Sequence, residues 1–308
     1  MQTTDTLLMV RPANFGYNAQ TATNNSFQNA AAAAEMGEIR EAAQAEFDNF
    51  VERLRERNIN VIVVEDTATP IKPDAIFPNN WMSYHEDGSV FLYPMYAPNR
   101  RIERRKDIIQ GLKDQFVVGK IHDLSGSEAL NIFLEGTGSM ILDRVNGLCY
   151  ACISQRTDAN LLEDFCGKIG YSPIVFHADD RNGDPIYHTN VVMAVGETFV
   201  VMCLEAVRDE AEKAALLSWF ANTEKDFIEI TMSQLEQFAG NMLQVSNTEG
   251  ESFLVMSEQA FMSLDDAQIQ QIQDHTEILY APIYTIEKYG GGSARCMMAE
   301  VFLPKKEA

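Results

Sequence analysis

The sequence predicts an α/β protein assembled from about five ββαβ-like modules, and three observations carry that reading. Pairs of β-prone segments flank turns rich in glycine or Asx residues: His85-Glu86-Asp87-Gly88, Arg144-Val145-Asn146-Gly147, Ala194-Val195-Gly196-Glu197 and Asn247-Thr248-Glu249-Gly250. The turn glycines recur roughly every 50–60 residues. A helical pattern follows each pair and leads to a further strand, and the first and last segments of the chain complete the count.

Taken in order, Thr6 to Val10 is a short apolar strand ending at Arg11-Pro12. Asn14 to Asn25 is polar and without periodicity, so it reads as a loop, one that could cover a site. Ala30 to Asn58 is alanine-rich with Glu38, Arg40, Glu41 and Glu46 at helical spacing, which predicts a long amphipathic helix. Asn60 to Val64 then reads as a buried strand. Later helices are expected over Arg101–Gln115, Asp158–Ile169, Asp209–Phe220 and the Ser257–Asp274 region. The repeat argues for one domain over residues 1–308.

Composition narrows the function. A formal charge of -21 and a pI near 4.5 disfavour nucleic acid and anionic membranes, both of which need clustered positive charge. A small-molecule partner is expected, and the sequence is compatible with a homo-oligomer. No basic n-region followed by an apolar h-region opens the chain, and no apolar run is long enough to span a bilayer. Five scattered cysteines fit free thiols in a reducing cytosol, so a cytoplasmic location is expected. Cys149 and Cys152 form a C-x-x-C within a strand-like run, where positions three apart point to opposite faces. With no second ligand pair nearby, a metal site is disfavoured. Cys166 and Cys203 read as core.

The fifth cysteine is different. Cys296 follows Gly290-Gly291-Gly292-Ser293-Ala294-Arg295, where a glycine-rich loop becomes a strand. Glycines let a substrate approach the backbone, and Arg295 beside a partly exposed thiol would favour the nucleophilic thiolate. Other chemical residues stand at corresponding places in earlier modules: Pro73-Asp74-Ala75-Ile76-Phe77-Pro78-Asn79-Asn80-Trp81, Leu134-Glu135-Gly136, Tyr187-His188-Thr189-Asn190 and Gly240-Asn241-Met242. Modules that close into a ring would bring these together at one central site. Cysteine, histidine and a carboxylate suggest nucleophilic catalysis, with histidine moving protons. Asp74, pinned after Pro73, suits a cationic or N–H-rich group, although singly it and Glu135 also read as loop residues. Arg11, Arg100, Arg101 and Arg156 could each clamp a substrate carboxylate, while Arg104 and Arg105 read as a solvated helix face.

This ordered set, from Asp74 and Phe77-Pro78-Asn79-Asn80-Trp81 through Leu134-Glu135-Gly136, His188 and Gly240-Asn241 to Cys296, resembles the guanidine-modifying pentein superfamily. That superfamily includes arginine deiminases, dimethylarginine hydrolases, amidinotransferases and succinylarginine dihydrolase. Within it the chain is most similar to arginine-deiminase-related citrulline-utilisation hydrolases. The resemblance implies a five-bladed, pseudo-fivefold α/β propeller with its site on the axis. It implies that Cys296 attacks a guanidino or ureido carbon, that His188 is general acid and base, and that Glu135 contacts His188 and substrate nitrogens. It also implies that Asp74 and Asn80, beside Phe77 and Asn241, bind the substrate, that Arg100 and Arg156 take its α-carboxylate, and that no metal or organic cofactor is needed. Many deiminases carry an acid where this chain has Asn79-Asn80, and an amide can both donate to and accept from a neutral ureido group. That favours citrulline. Arginine deimination, dimethylarginine hydrolysis, amidino transfer and a non-catalytic binding role are the alternatives.

Overall fold

The computed structural model describes residues 1–30 and 35–306. In chain order, the first module runs through β1 (Thr6–Arg11), α1 (Met36–Glu56) and β2 (Asn60–Glu65). The second comprises β3 (Met82–Tyr84), β4 (Val90–Leu92), α2 (Lys106–Leu112) and β5 (Ile121–Asp123). Next come α3 (Gly136–Ser139), β6 (Ile141–Asp143), β7 (Leu148–Cys152), α4 (Ala159–Ile169) and β8 (Ser172–Phe176). The fourth holds α5 (Thr189–Val192), β9 (Met193–Val195), β10 (Phe199–Met202), α6 (Glu210–Asn222) and β11 (Asp226–Glu229). The fifth holds α7 (Met232–Leu235), β12 (Leu243–Ser246), β13 (Ser252–Ser257), α8 (Glu258–Ser263), α9 (Asp266–Gln273) and β14 (Glu277–Ala281). Finally α10 (Tyr284–Gly290) leads to β15 (Ala299–Glu300).

These strands form five three-stranded sheets of one design. In four of them two consecutive strands pair antiparallel, and the second runs parallel to a third reached across a helix, as a parallel connection requires. The remaining sheet takes the same form from opposite ends of the chain. There β15 pairs antiparallel with β1, Leu7 lying opposite Glu300, and β1 runs parallel to β2. The architecture is the expected one of five ββαβ blades.

Local chemistry explains most boundaries. Asp158 caps α4 by accepting from the Leu161 N–H, Asp209 caps α6, and Asp265 closes a capping box with Gln268 on α9. Along α1, Ile39, Ala43, Phe47, Phe50, Val51 and Leu54 make one buried stripe. Strand β7 is buried on both faces: Tyr150 and Cys152 join one apolar cluster, Cys149 and Ala151 another. The C-x-x-C pair therefore points apart, and no metal-binding group of His, Cys, Asp and Glu occurs among the described residues. Cys166 and Cys203 are buried. Among the described residues no helix is long and apolar enough to cross a membrane.

Several expectations need correction. The first helix begins at Met36, and residues 31–34 of the expected span lie outside those described. Strand β2 is half-exposed rather than buried, because it forms the outer edge of its sheet and pairs only with β1. The span Arg101–Gln115 is broken into a 3-10 turn, Pro98–Glu103, and α2. The break falls where Arg104 folds back onto Glu128 and the Tyr93 carbonyl, which leaves Arg104 part-buried rather than on a solvated face. Ser257–Asp274 is two helices, because the Asp265 side chain caps a new one after α8.

A short turn precedes the first strand of each blade: Pro78–Asn80, α3, α5, the Gly240-Asn241 turn and Ala294–Met297. Pro78–Asn80 touches both α3 and Ala294–Met297, and α3 touches α5. The approach is close. Gly136 has a φ of +49°, and a Cβ there would lie 2.2 Å from the Asn79 carbonyl oxygen. Gly136→Ala is expected to cost more than about 2 kcal/mol in denaturant unfolding; a loss below about 0.5 kcal/mol would show that these turns are free to separate.

Candidate active site

The five turns place their polar side chains around one cavity. Asp74, Phe77, Asn80, Arg100, Arg156, His188, Gly290 to Gly292 and Cys296 line it, with Glu135 behind His188 and Asn241 behind Cys296. The cavity measures about 20 Å³, room for one water molecule.

Glu135 occupies the N-terminus of α3 and is fully buried. Its Oε1 accepts the Tyr96 N–H at 2.8 Å, and its Oε2 meets His188 Nε2 at 2.8 Å, with Arg156 Nη1 3.5 Å away. Burial opposes the carboxylate, yet Arg156, His188 and Arg100 outweigh it and hold the group at about 2. For His188, burial outweighs Glu135 and lowers the imidazole to about 4. At neutral pH the ring is therefore neutral. Nε2–H donates to Glu135, which leaves Nδ1 as the lone-pair nitrogen. Gly138 makes room for it, since a Cβ there would sit 2.7 Å from Nδ1 and 2.4 Å from Asn80 Nδ2.

Asp74 Oδ2 accepts from Asn18 Nδ2 at 2.7 Å and Thr21 Oγ1 at 3.2 Å, whereas its Oδ1 is buried without a partner. Desolvation raises its pKa against the pull of Arg100 and Arg156. Arg100 donates to Glu103, to Asn80 Oδ1 at 2.8 Å and to the Phe77 carbonyl at 3.1 Å, so protein acceptors hold all three of its nitrogens. Arginine only donates, so Asn80 must turn Oδ1 toward it; Nδ2 is left buried and unpartnered. Both polar atoms of the Asn79 side chain are likewise without partners.

Cys296 lies in the Ala294–Met297 turn with 3% of its surface exposed, so it is buried rather than partly exposed. Arg295 does not serve it: that guanidinium bonds the Met298 carbonyl and Glu300, each at 2.8 Å. Instead, Asn190 Nδ2 and Asn241 Nδ2 each reach Sγ at 3.3 Å. The three glycines line the cavity and have a further role. A Cβ at Gly290 or Gly292 would meet the Phe77 ring at 2.8 or 3.0 Å, and one at Gly291 would meet Gln28 and Asn25. They make room for the protein's own side chains.

The loop expected over Asn14 to Asn25 closes the cavity. Asn25 donates to the Gly291 carbonyl and Gln28 to that of Gly290. Arg156, stacked over Tyr187 at 4.8 Å, gives Nε and Nη2 to Asn24 Oδ1 and Nη2 also to the Thr21 carbonyl. Arg11 lies outside the site, paired with Asp48 and Glu65. Of the other histidines, His85 is buried at the end of β3 and His122 belongs to β5. Sequence reading missed Asn190, Asn18, Thr21, Asn24 and Gln28. Only Asn190 carried a signal, two residues beyond His188 on the same turn.

A blade architecture of five ββαβ units around a Cys-His-Glu centre defines a pentein, the guanidine-modifying superfamily. Residues 11–303 match the family described as N,N dimethylarginine dimethylhydrolase, eukaryotic; the chain belongs to that family and is a hydrolase of carbon–nitrogen bonds in amidino groups. Among solved structures, the substrate-bound N-terminal domain of ArgZ, an arginine dihydrolase from the ornithine-ammonia cycle in Cyanobacteria, superposes with a TM-score of 0.72. Identity is 15%, over 97% of this chain and 98% of that one. AgrE in complex with ornithine and NAD+ gives 0.75 and 18%, over 98% of this chain and 40% of that one. A dimethylarginine dimethylaminohydrolase carrying an S-methyl-L-thiocitrulline adduct gives 0.63 and 13%, over 97% and 99%. At these identities the likeness is one of fold. A search of curated protein sequences gave no match.

Glu287 steadies the segment that carries Cys296, accepting from the Ser293 hydroxyl at 2.6 Å and, through its carbonyl, from the Gly291 N–H. Burial raises its carboxyl to about 7. A folded-state value above the ordinary one means that its contribution to stability is present in acid and is lost as pH rises through about 7. The thermal midpoint should therefore fall as pH rises from about 4.5 to about 7, and Glu287→Gln should flatten that fall; an unchanged slope in the variant would assign it to other groups.

Proposed function

We propose that this protein is a cysteine hydrolase of the ureido or guanidino carbon of a free amino acid, with citrulline its best-fitting substrate. The observation that carries this is the Asn80 amide, whose orientation Arg100 dictates and whose Nδ2–H is left without an acceptor. A guanidinium offers only donors, whereas a ureido oxygen accepts. Asp74 Oδ1, unpartnered on the same cavity, suits the substrate's N–H groups.

In this reading the Cys296 thiol gives its proton to His188 Nδ1 and adds as the thiolate to the ureido carbon; the C–NH₂ bond breaks, and ammonia leaves with that same proton, returned by His188. A thiol-linked carbamoyl intermediate remains. Water, deprotonated by His188 Nδ1, attacks it, the C–S bond breaks and its electrons return to sulfur. The released carbamate loses carbon dioxide to give ornithine. Glu135, ionised throughout, orients the imidazole and stabilises its protonated form. Substrate enters when the Asn14–Asn25 loop withdraws, since the closed cavity holds only one water. Withdrawal frees Arg156 from Asn24 and Thr21 for an α-carboxylate, a role Arg100 is too heavily engaged to share.

A second reading, arginine as substrate, is favoured by the ionised Glu135 behind the cavity and the unpartnered Asp74 Oδ1, which can accept from guanidinium N–H groups. It also agrees with the arginine dihydrolase activity named for the cyanobacterial neighbour. Assaying ammonia, ornithine and citrulline from citrulline, arginine and methylated arginines decides between them. Citrulline should yield ornithine with one ammonia, and Cys296→Ser should abolish turnover; undiminished activity in that variant would overturn the mechanism. Asn80→Asp should raise the ratio of kcat/KM for arginine over citrulline by about tenfold or more, and an unchanged ratio would remove Asn80 from substrate selection.

The pH profile offers a further test. His188 must be neutral to accept a proton, so kcat/KM should hold down to about pH 4 and fall below it. A fall centred near the ordinary histidine value of about 6.5 would show that burial does not set this group.

A further inference from the structure

The sulfur of Cys296 sits deep in the protein without a cation devoted to it. Arg295, its neighbour in sequence, is tied to Glu300 and the Met298 carbonyl. Arg100 is bound by Glu103, Asn80 and Phe77, and Arg156 by Asn24 and Thr21. His188 is neutral at neutral pH and gives its one N–H to Glu135. What does reach Sγ is a pair of side-chain amides, Asn190 Nδ2 and Asn241 Nδ2, both at 3.3 Å.

From this geometry we propose that Asn190 and Asn241 form a two-amide cradle that holds the Cys296 sulfur as an anion, both when it attacks and when it is expelled. The proposal rests on the hydrolase reading above for the second of those moments only. Asn241 is oriented for the task, its Nδ2 nearer the sulfur than its Oδ1, which lies 3.7 Å away. The Arg295 backbone N–H donates to Asn241 Oδ1 at 3.0 Å, so Asn241 must present Nδ2 to the sulfur; the same Nδ2 donates to the Asn190 carbonyl at 2.8 Å and locks the two residues together. Asn190 and Asn241 are 0% and 1% exposed, so water does not compete for their N–H groups. A neutral thiol is a weak acceptor and gains little from two such donors, whereas a thiolate accepts both as charge-assisted bonds. Hydrogen bonds to the charged form are one of the few ways to stabilise charge in a buried site that lacks a counter-ion.

The cradle acts twice because sulfur carries the charge twice. In the first step the thiolate's electron pair forms the C–S bond while the C–N bond breaks, and ammonia leaves with the proton that His188 took from the thiol. In the second, water's oxygen bonds to the same carbon, the C–S bond breaks and its pair returns to sulfur, where the two amides receive it. Asn190 also sits two residues from His188 on α5, so one short turn positions both the proton carrier and a donor to the nucleophile. Asn241, expected to bind substrate, is assigned to the sulfur instead.

The test uses the full-length protein and its Asn190→Ala, Asn190→Asp and Asn241→Ala variants, each checked for native circular dichroism. Alkylation of Cys296 by iodoacetamide is followed on its own peptide by mass spectrometry, without substrate. At about pH 7 each variant should alkylate at least about tenfold more slowly than the parent, and the deficit of the alanine variants should close near pH 10, where thiolate forms unaided. Asn190→Asp keeps the shape of the side chain and replaces a donor by a negative charge, so it should be slowed at least as much as Asn190→Ala. It decides the matter if the alanine variants do not fold. With citrulline or arginine, rapidly quenched variants should show a larger fraction of Cys296 as the covalent intermediate than the parent does. Folded variants that alkylate at the parental rate at neutral pH would overturn the cradle. If no guanidino or ureido compound is turned over by the parent, the hydrolase reading fails, while the alkylation rates still decide whether the amides hold the sulfur.

Discussion

Everything at the centre of this molecule depends on how closely five stretches of backbone can approach one another. Each blade delivers a short turn ahead of its first strand, and the turns pack against their neighbours rather than against side chains. Gly136 lies so near the Asn79 carbonyl that no Cβ could fit, and Gly240 stands in the same relation to Val191 of the preceding blade. Because the main chains are this close, the side chains they carry need not be long. Asn80, His188 and Cys296 reach the site from the turns themselves, while Arg100, Arg156, Phe77, Tyr187 and Gln28 reach in from farther out.

Such crowding excludes water and so raises the energetic stakes of every charge inside. Asp74, Glu103 and Glu135 face Arg100, Arg156 and a neutral His188, and most of their hydrogen-bonding capacity is met within the protein. Among the atoms buried without partners, Asp74 Oδ1 and Asn80 Nδ2 belong to residues lining the cavity, and Asn190 Oδ1 and the Asn79 amide belong to the turns around it. Unmet polar groups are costly in a protein interior. Their gathering around one small cavity marks the place where a polar ligand would offset that cost.

What the sequence revealed follows the range over which the causes act. Hairpins were legible because Asp87-Gly88 or Asn146-Gly147 dictates a turn within a few residues, and helix starts were legible where an Asp supplies its own cap. Cys296, His188 and Glu135 stood out as residue types at matching positions of a repeat, and the structure brings them to one place. Contacts between blades were beyond reach. Nothing local distinguishes Asn24 from any other loop amide, yet it occupies Arg156; nothing near Arg295 announces that Glu300 claims it. The glycines before the cysteine were visible, but their reason, the Phe77 ring, lies more than two hundred residues upstream. The half-exposure of β2 follows from its place at a sheet edge, which an apolar run alone does not encode.

The pairing of β15 with β1 joins residues about as far apart in sequence as this fold allows. Closing so large a loop carries a high entropic cost, and contacts of long sequence separation form late in folding. Cys296 sits three residues before β15, in the turn that this pairing anchors. Until the first and last strands meet, the thiol has no fixed place relative to His188. The setting of Cys296 is thus a property of the closed ring, and the rate at which the ring closes sets when an otherwise ordinary cysteine takes its place in the site.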